Sequence, residues 1–250
     1  GKTFLGAVAT LLNLILKPGT EIRILGGSMD QSRRMHAHLR RLFAMDAFER
    51  LVAGKIGERR IVLRNGSEVE LLAQSQASVR GTRVQKLRCD EVELFDRDVF
   101  EAAQLCTRSR SVEVPGVGRV LVRGAVECLS TMHVPFGIMH DLVNEARQGE
   151  RALFKWGVLD VLGACGAEHV CGPEDEKDGP RCALWEECRG RAKAREAGNA
   201  GHIRIEDAVR MKKRVARATW EAEMLSLRPR RTDAVLPEFD LARHGTDRAM

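Results

Sequence analysis

A Gly-Lys-Thr tripeptide, Gly1-Lys2-Thr3, stands directly before an apolar run whose hydrophobic residues recur at helical spacing. This spacing predicts a helix over residues 4–16 with the tripeptide at its N-terminus. A phosphate-binding loop of the pattern G-x-x-x-x-G-K-[ST] ends in this way. Its backbone N–H groups surround the phosphates, its lysine reaches the β- and γ-phosphates, and its hydroxyl binds Mg²⁺. We therefore expect Gly1, Lys2 and Thr3 to bind a nucleotide, with Thr3 also on Mg²⁺. Because the front of the pattern is missing, we expect a fragment without the first strand and the start of the loop.

Patterns typical of strands and helices alternate along most of the chain. A buried strand is predicted over residues 21–26, and Asn65-Gly66 indicates a tight hairpin turn between two further strands. The other predicted elements are helices at 31–43, 96–107, 136–148 and 205–227, and strands at 60–63, 68–72, 84–89, 120–129 and 152–159. Such alternation predicts an α/β protein with a mostly parallel sheet flanked by helices. Together with the tripeptide, it favours a P-loop NTPase core.

Two short polar motifs follow predicted strands, Asp90-Glu91 after one and Ser130-Thr131 after another. Because ligands of parallel sheets bind beyond the carboxyl ends of the strands, both motifs should lie beside the phosphate loop. In such a site an aspartate holds Mg²⁺, and an adjacent glutamate orients and deprotonates the attacking water. We therefore expect Asp90 to bind Mg²⁺ and Glu91 to be the catalytic residue of an ATPase. An Asp-Glu pair on its own would instead indicate a surface turn.

Charge and hydropathy restrict the partners. The 250 residues include 41 Lys and Arg against 35 Asp and Glu, a net charge of +6. The basic residues cluster in the sequence, for example at Arg33-Arg34, at Arg40-Arg41, and at Arg80, Arg83, Lys86 and Arg88. Such clusters either contact nucleic-acid phosphates or are solvated helix faces. Tyrosine is absent and aromatic residues make up 4%, so any contact with DNA should go to phosphates without reading sequence. No run reaches the length of a membrane span and no secretory signal is recognisable, so a soluble intracellular protein without a membrane partner is expected.

Residues 163–202 interrupt the alternation with a segment rich in glycine, cysteine and charge. Its four cysteines have the spacing C-x5-C-x10-C-x5-C and are Cys165, Cys171, Cys182 and Cys188. Four thiolates can enclose Zn²⁺ or hold an iron–sulfur cluster, and a metal would stabilise a segment with too little apolar content for a core. The alternative is an oxidation-prone disordered loop. The remaining cysteines, in predicted regular elements, are expected to be small buried hydrophobes; they are Cys89, Cys106 and Cys128.

Several of these motifs, taken in order, resemble the large terminase subunit of tailed bacteriophages and prophages. Gly1-Lys2-Thr3 resembles the end of its Walker A motif, and Asp90-Glu91 its Walker B motif. The other similar pieces are Ser78-Val79-Arg80-Gly81, Leu87-Arg88-Cys89, Leu129-Ser130-Thr131, Thr219-Trp220 with Glu223, and Pro237-Glu238-Phe239-Asp240. These pieces span nearly the whole chain, and it is their order and spacing that make the resemblance specific.

The resemblance implies an additional-strand, RecA-like ATPase that uses ATP and Mg²⁺ to pump double-stranded DNA into procapsids. It gives Ser130 and Thr131 the role of coupling hydrolysis to DNA movement. It also implies a homo-oligomeric ring, a portal protein and a small terminase subunit as partners, and a location in the cytoplasm of the bacterial host. The expected divisions are an ATPase core at 1–162, the cysteine-rich metal-binding insertion at 163–202, a helical linker at 203–235, and the start of a truncated nuclease domain at 236–250. Nuclease activity is not expected of this chain.

Two alternatives remain open at the level of sequence. A superfamily-2-type helicase also combines Gly-Lys-Thr, Asp-Glu and a Ser-Thr motif, but it would need a second RecA-like domain after residue 150. A non-catalytic metal-binding DNA module would keep the basic clusters and the four cysteines while making Asp90-Glu91 structural.

Overall fold

The chain forms two compact units, Gly1–Ser130 and Thr131–Met250. The computed structural model describes residues 1–73, 75, 79–166, 171, 181–196, 198–199 and 201–229. Ser78, Pro237-Glu238-Phe239-Asp240 and the predicted segment 236–250 lie outside these residues.

The first unit is built on a five-stranded sheet. In chain order its strands are β1 (Glu21–Gly26), β2 (Arg60–Val62), β3 (Glu68–Leu71), β4 (Lys86–Asp90) and, after a separate hairpin of β5 (Arg110–Val114) and β6 (Gly118–Val122), β7 (Ala125–Leu129). The order across the sheet is β2-β3-β1-β4-β7, and only the β2–β3 pairing is antiparallel. The sequence predictions of an α/β class and of a mostly parallel sheet are therefore confirmed.

Helices of the first unit are α1 (Lys2–Leu16), α2 (Met29–Phe43), α3 (Asp46–Glu49) and α4 (Arg97–Gln104). The long helices pack against each other and against strands of the sheet. Leu11 and Leu14 of α1 meet Met35 and Leu39 of α2 in one buried cluster with the apolar residues of β1. The 3.6-residue spacing that predicted these helices is thus the spacing of their buried face.

The chain turns from β1 into α2 without a loop, and this turn depends on glycine. A Cβ on Gly26 would lie 2.7 Å from the backbone nitrogen of Ser32, and one on Gly27 would lie 2.9 Å from Cβ of Leu94. Ser28 then caps α2, since its side chain accepts from the Gln31 N–H at 3.3 Å. A small residue at each of these positions lets the helix start directly at the end of the strand.

Two strand predictions were wrong. The predicted strand 120–129 is two strands, β6 and β7, interrupted at residues 123 and 124. The Arg108 backbone lies against Gly124, where a Cβ would lie only 2.8 Å away. The first of these strands, β6, pairs with β5 as a hairpin, which the sequence analysis missed. The predicted strand 152–159 is absent: residues 152–157 have no regular structure, and Val158 and Leu159 begin a short helix. Leu153 and Phe154 are 48% and 83% exposed, so their hydrophobicity reflects no sheet core.

The second unit is helical in its described part. Its elements are α5 (Ile138–Arg147), α6 (Val158–Val161), α7 (Trp185–Cys188), α8 (Ile205–Arg214), α9 (Arg217–Thr219) and a π-helical turn, Trp220–Met224. The predicted helix 205–227 is therefore interrupted, since Val215 is extended and ends α8. Trp220 is 1% exposed and lies at the centre of a small core with Leu162, Leu184 and Ile205.

Candidate nucleotide site

Three parallel strands end level with one another. In the register of the sheet, Gly26 of β1 pairs with Asp90 of β4, and Asp90 pairs with Leu129 of β7. The residues that follow these strands, including Glu91 and Ser130, therefore emerge at the same edge. Glu91 and Ser130 thus lie at one carboxyl edge of the sheet, where ligands of parallel sheets bind, and the roles predicted for them stay predictions.

The start of α1 is at this same edge. Lys2 Nζ lies 3.9 Å from Glu91 Oε1, and the Thr3 hydroxyl hydrogen-bonds to the Asp90 carboxylate. Lys2 is the first residue of α1 and Gly1 is its N-cap. The positive end of the helix dipole and an ammonium group thus face two carboxylates, an arrangement suited to phosphates accompanied by a cation.

Asp90 is the most constrained group of the site. It is 1% exposed, and its Oδ1 has no hydrogen-bond partner among the described residues. Burial raises the pKa of this carboxyl, and the charge of Glu91 raises it further, while Thr3 and Lys2 act in the opposite direction. Mg²⁺ prefers carboxylate, hydroxyl and water oxygens. An orphaned carboxylate oxygen beside a threonine hydroxyl fits this ion, and Thr3 and Asp90 are the residues that would hold it.

Glu91 has an unusual backbone for a residue with a side chain. Its φ is +54° and its ψ is +49°, in the left-handed region, directly between β4 and the 3-10 turn Val92–Leu94. A non-glycine residue in this region costs of order 1 kcal/mol and persists where the surrounding structure imposes it. This backbone strain lies at the position predicted from sequence to activate water, and no sequence pattern indicated it.

Ser130 connects this segment to β7. Its hydroxyl donates to Glu91 Oε2 at 3.3 Å and accepts from the Glu93 N–H at 3.3 Å. A single hydroxyl thus contacts both the side chain of the predicted catalytic residue and the turn that follows it.

Thr131 has different partners from its neighbour. Its hydroxyl donates to Glu223 Oε2 at 3.3 Å and lies 3.3 Å from His133 Nε2. His133 Nδ1 is 2.6 Å from Glu223 Oε1, which closes a three-residue cluster in the second unit. Glu223 belongs to the π-helical turn, a rare geometry that occurs often at functional sites. Sequence analysis named Thr131 and Glu223 separately and did not predict their contact.

The predicted basic cluster in and before β4 is only partly a surface feature. Arg80 and Arg83 are exposed, but Arg88 is 2% exposed and forms an ion pair with Glu127 of β7, which Lys86 Nζ also contacts at 3.0 Å. Two of the four cations are therefore neutralised by one carboxylate on the neighbouring strand. By contrast, the four arginines of α2 are exposed along one helix; they are Arg33, Arg34, Arg40 and Arg41.

All seven cysteines are free. Cys89 and Cys106 are buried as predicted, while Cys128, the register partner of Cys89, is half-buried. In the second unit, burial together with the nearby Cys171 and Cys182 raises the pKa of Cys165 to about 11. Among the described residues, no three His, Cys, Asp or Glu side chains are arranged to hold a metal ion, so the predicted cysteine metal site stays a prediction.

The fold is thus a mixed α/β one, a mostly parallel sheet flanked by helices, with a helix N-terminus and two carboxylates at the carboxyl edge of the sheet. The fold is similar to that of a large terminase from a thermophilic bacteriophage, with a TM-score of 0.58 and 11% identity over 98% of this chain and 50% of that one. The large-terminase ATPase domain of a Thermus phage also matches, with a TM-score of 0.40 and 16% identity over 52% of this chain and 55% of that domain. No protein-family model and no curated protein matches the sequence.

The first of these similarities establishes the fold, that of phage large terminases, and the predicted resemblance is confirmed at this level. The chain spans half the length of that terminase. Within the described ranges, no helix is both long and apolar enough to cross a membrane.

Proposed function

We propose that this chain is the ATP-hydrolysing part of a phage or prophage large terminase, the motor that moves double-stranded DNA into procapsids. The observation that carries the proposal is the convergence of Lys2, Thr3, Asp90, Glu91 and Ser130 at one edge of a terminase-like sheet. Each of these residues has the side chain that nucleotide hydrolysis requires at its position.

The roles follow from the contacts. Lys2 would neutralise phosphate charge, and Thr3 and Asp90 would hold Mg²⁺, which supplies charge neutralisation at the phosphates when bound. Glu91 is 25% exposed in its side chain, so water can reach it, and its carboxylate would accept a proton from the attacking water. Ser130 fixes the orientation of that carboxylate from the neighbouring strand.

The proposed partners are DNA and the other components of a packaging motor. The exposed arginines of α2, Arg33, Arg34, Arg40 and Arg41, could contact DNA phosphates. A homo-oligomeric ring, a portal protein, a small terminase subunit and a location in the bacterial cytoplasm are proposed from the resemblance alone. The helicase alternative has less support, because the described residues after Ser130 contain no β-sheet from which a second RecA-like domain could be built.

The test is ATP hydrolysis by the complete gene product, whatever its length, with and without double-stranded DNA. Glu91→Gln should reduce turnover by about 100-fold or more while Mg²⁺–ATP binding is retained. The matched control is Glu113→Gln, which removes an exposed carboxylate of the β5–β6 hairpin and should leave turnover unchanged. Normal turnover in Glu91→Gln would refute the assigned role, and a wild-type protein that binds no nucleotide would favour the non-catalytic DNA module. ATP-driven strand separation would favour the helicase.

A further inference from the structure

Backbone contacts join the two ends of the cysteine-bearing segment, residues 163–202. Leu162 and Ile203 form an isolated parallel bridge, and the Gly163 N–H donates to the Ile203 carbonyl at 2.9 Å. The His202 N–H donates to the Val161 carbonyl at 2.8 Å. The two ends of the cysteine-bearing segment, at Leu162 and Ile203, are therefore adjacent.

Apolar burial inside this segment is small. The buried hydrophobic residues that the structure describes between 163 and 202 are Leu184, Cys188 and Ala192. Ordering one residue costs about 1–2 kcal/mol of conformational free energy. Burial of Leu184 is worth about 1.5–3 kcal/mol, and the small Cys188 and Ala192 side chains less, so the three offset the ordering of only a few residues. Small segments of this kind usually need a disulfide or a metal for stability, and all seven cysteines of the chain are free.

The cysteines gather around this minimal core. The Cys165 N–H donates to the Ala192 carbonyl at 3.0 Å, and the Ala192 N–H donates to Cys188 Sγ at 3.4 Å. One residue thus contacts both the first and the last cysteine of the spacing pattern, although they are far apart in sequence. An N–H group directed at a cysteine sulfur is also the type of outer contact that supports a thiolate ligand.

The other two cysteines are placed consistently with this arrangement. The Cys182 carbonyl accepts from the Trp185 N–H at 2.9 Å, in the turn that leads into α7 and to Cys188 at its end. Cys165 and Cys182 both pack against the cluster that contains Cys188. Cys171 is half-buried, as are Cys165 and Cys182.

We propose that Cys165, Cys171, Cys182 and Cys188 bind one Zn²⁺ ion as a structural four-thiolate site. A closed tetrahedral site of this kind contributes directly to folding and keeps no open position for catalysis. Because no three described ligand groups are already arranged around a common point, the ion has to draw the thiols together as it binds. Binding is then coupled to the approach of the four cysteines and to release of the thiol protons.

The experiment is metal analysis of the complete gene product, purified under reducing conditions without added chelator. About one zinc per chain is expected, and Co²⁺ in its place should give the visible absorption of tetrahedral thiolate coordination. Cys165→Ser, Cys171→Ser, Cys182→Ser and Cys188→Ser should each lose most of the bound metal. Cys106→Ser is the control, since Cys106 lies in the first unit, where its Sγ donates to the Val79 carbonyl, and the variant should retain full metal content.

Metal analysis and thermal unfolding of the wild-type protein test the zinc site even if the cysteine variants fail to fold. A chelator that removes the zinc should lower the midpoint of thermal unfolding, and zinc should restore it. A metal-free protein that gains no zinc on reconstitution would overturn the proposal. Iron with acid-labile sulfide would also overturn it, in favour of an iron–sulfur cluster. Since neither readout involves ATP, the result is independent of the proposed ATPase function.

Discussion

The Ser130 hydroxyl donates to Glu91 Oε2 at 3.3 Å, so a residue after one strand positions the carboxylate that follows the next strand of the sheet. The same hydroxyl accepts from the Glu93 N–H. It therefore couples the orientation of the Glu91 side chain to the conformation of the turn after β4. Thr131, the next residue, hydrogen-bonds to Glu223. Consecutive hydroxyls of one short motif thus contact the predicted catalytic residue and the π-helical turn.

Ser130→Ala should therefore impair hydrolysis without preventing nucleotide binding. Loss of one hydrogen bond to a charged group is worth about 1.5–3 kcal/mol, so kcat should fall by about tenfold or more while KM changes little. Ser130→Thr retains a hydroxyl and should recover much of the rate. The measurement is steady-state ATP hydrolysis by the complete gene product, and an unchanged kcat in Ser130→Ala would show that the contact does not position Glu91.

Asp90→Asn should stabilise the fold in the absence of Mg²⁺ and nucleotide. Burial raises the pKa of Asp90 above the ordinary value of 3.8, so the native state binds more protons than the unfolded state just above that pH. Stability must then decrease as the pH rises through the raised pKa, and the amide variant avoids this loss. A gain of about 1–3 kcal/mol in the free energy of unfolding at pH 7 is expected from urea titrations.

The control for this variant is Asp30→Asn. The side chain of Asp30 is 82% exposed, and it forms an ion pair with the exposed Arg33. This substitution should change stability by about 0.5 kcal/mol at most. Equal effects of the two substitutions would contradict the buried, uncompensated charge at Asp90.

His36 should make the stability of the chain depend on pH with the opposite sign. This residue of α2 is 1% exposed, and its Nε2 has no partner within the described part of the chain. Burial, followed by the charge of Arg40, lowers its pKa from 6.5 to about 4. The unfolded state therefore binds more protons between these values, and stability should fall as the pH drops from 6.5 towards 4, by up to about 3 kcal/mol.

Comparison of His36→Leu with the parent chain in urea at pH 7 and pH 4.5 checks this prediction. The variant should lose most of the acid-induced decrease in the free energy of unfolding. Phe43→Leu, a core substitution on the same helix with no titratable group, should lower stability equally at the two pH values. A decrease in His36→Leu as large as that of the parent chain would assign the acid sensitivity to other groups.

Glu127→Gln should destabilise the first unit strongly. It leaves the buried Arg88 guanidinium without its carboxylate, and removing one partner of a buried ion pair costs about 3 kcal/mol or more. The double variant Arg88→Met with Glu127→Gln should recover part of this loss, because the buried guanidinium is gone. The recovery is incomplete, because Lys86 still loses the same carboxylate. Glu113→Gln breaks the exposed pair with Arg119 and should cost about 0.5 kcal/mol or less, as measured by thermal or urea unfolding. A double variant no more stable than Glu127→Gln would show that the guanidinium charge is not the cause.

Much of the first unit was predictable because its signals are local. The apolar spacing of α1 and α2, the Asn65-Gly66 turn and the polar residues after β4 and β7 act within a few residues, and the structure places them as the spacing indicated. The wrong strand prediction in the second unit also has a physical reason. The segment 152–157 is apolar and β-like, yet it lies outside the sheet and leaves Phe154 exposed, since a strand pattern cannot specify whether a partner edge is free.

The sequence by itself determined which chemical groups stand at the ends of which elements: Lys2 and Thr3 at a helix start, Asp90 and Glu91 after one strand, and Ser130 after another. Tertiary structure decided what those groups contact. The strand order brings Glu127 beside Arg88 and so converts a predicted surface cation into a buried pair. Within the second unit, folding joins Thr131 to Glu223, which lies 92 positions away. Such contacts depend on which elements become neighbours, and that choice is made by the burial of apolar faces across the whole unit rather than by any local pattern.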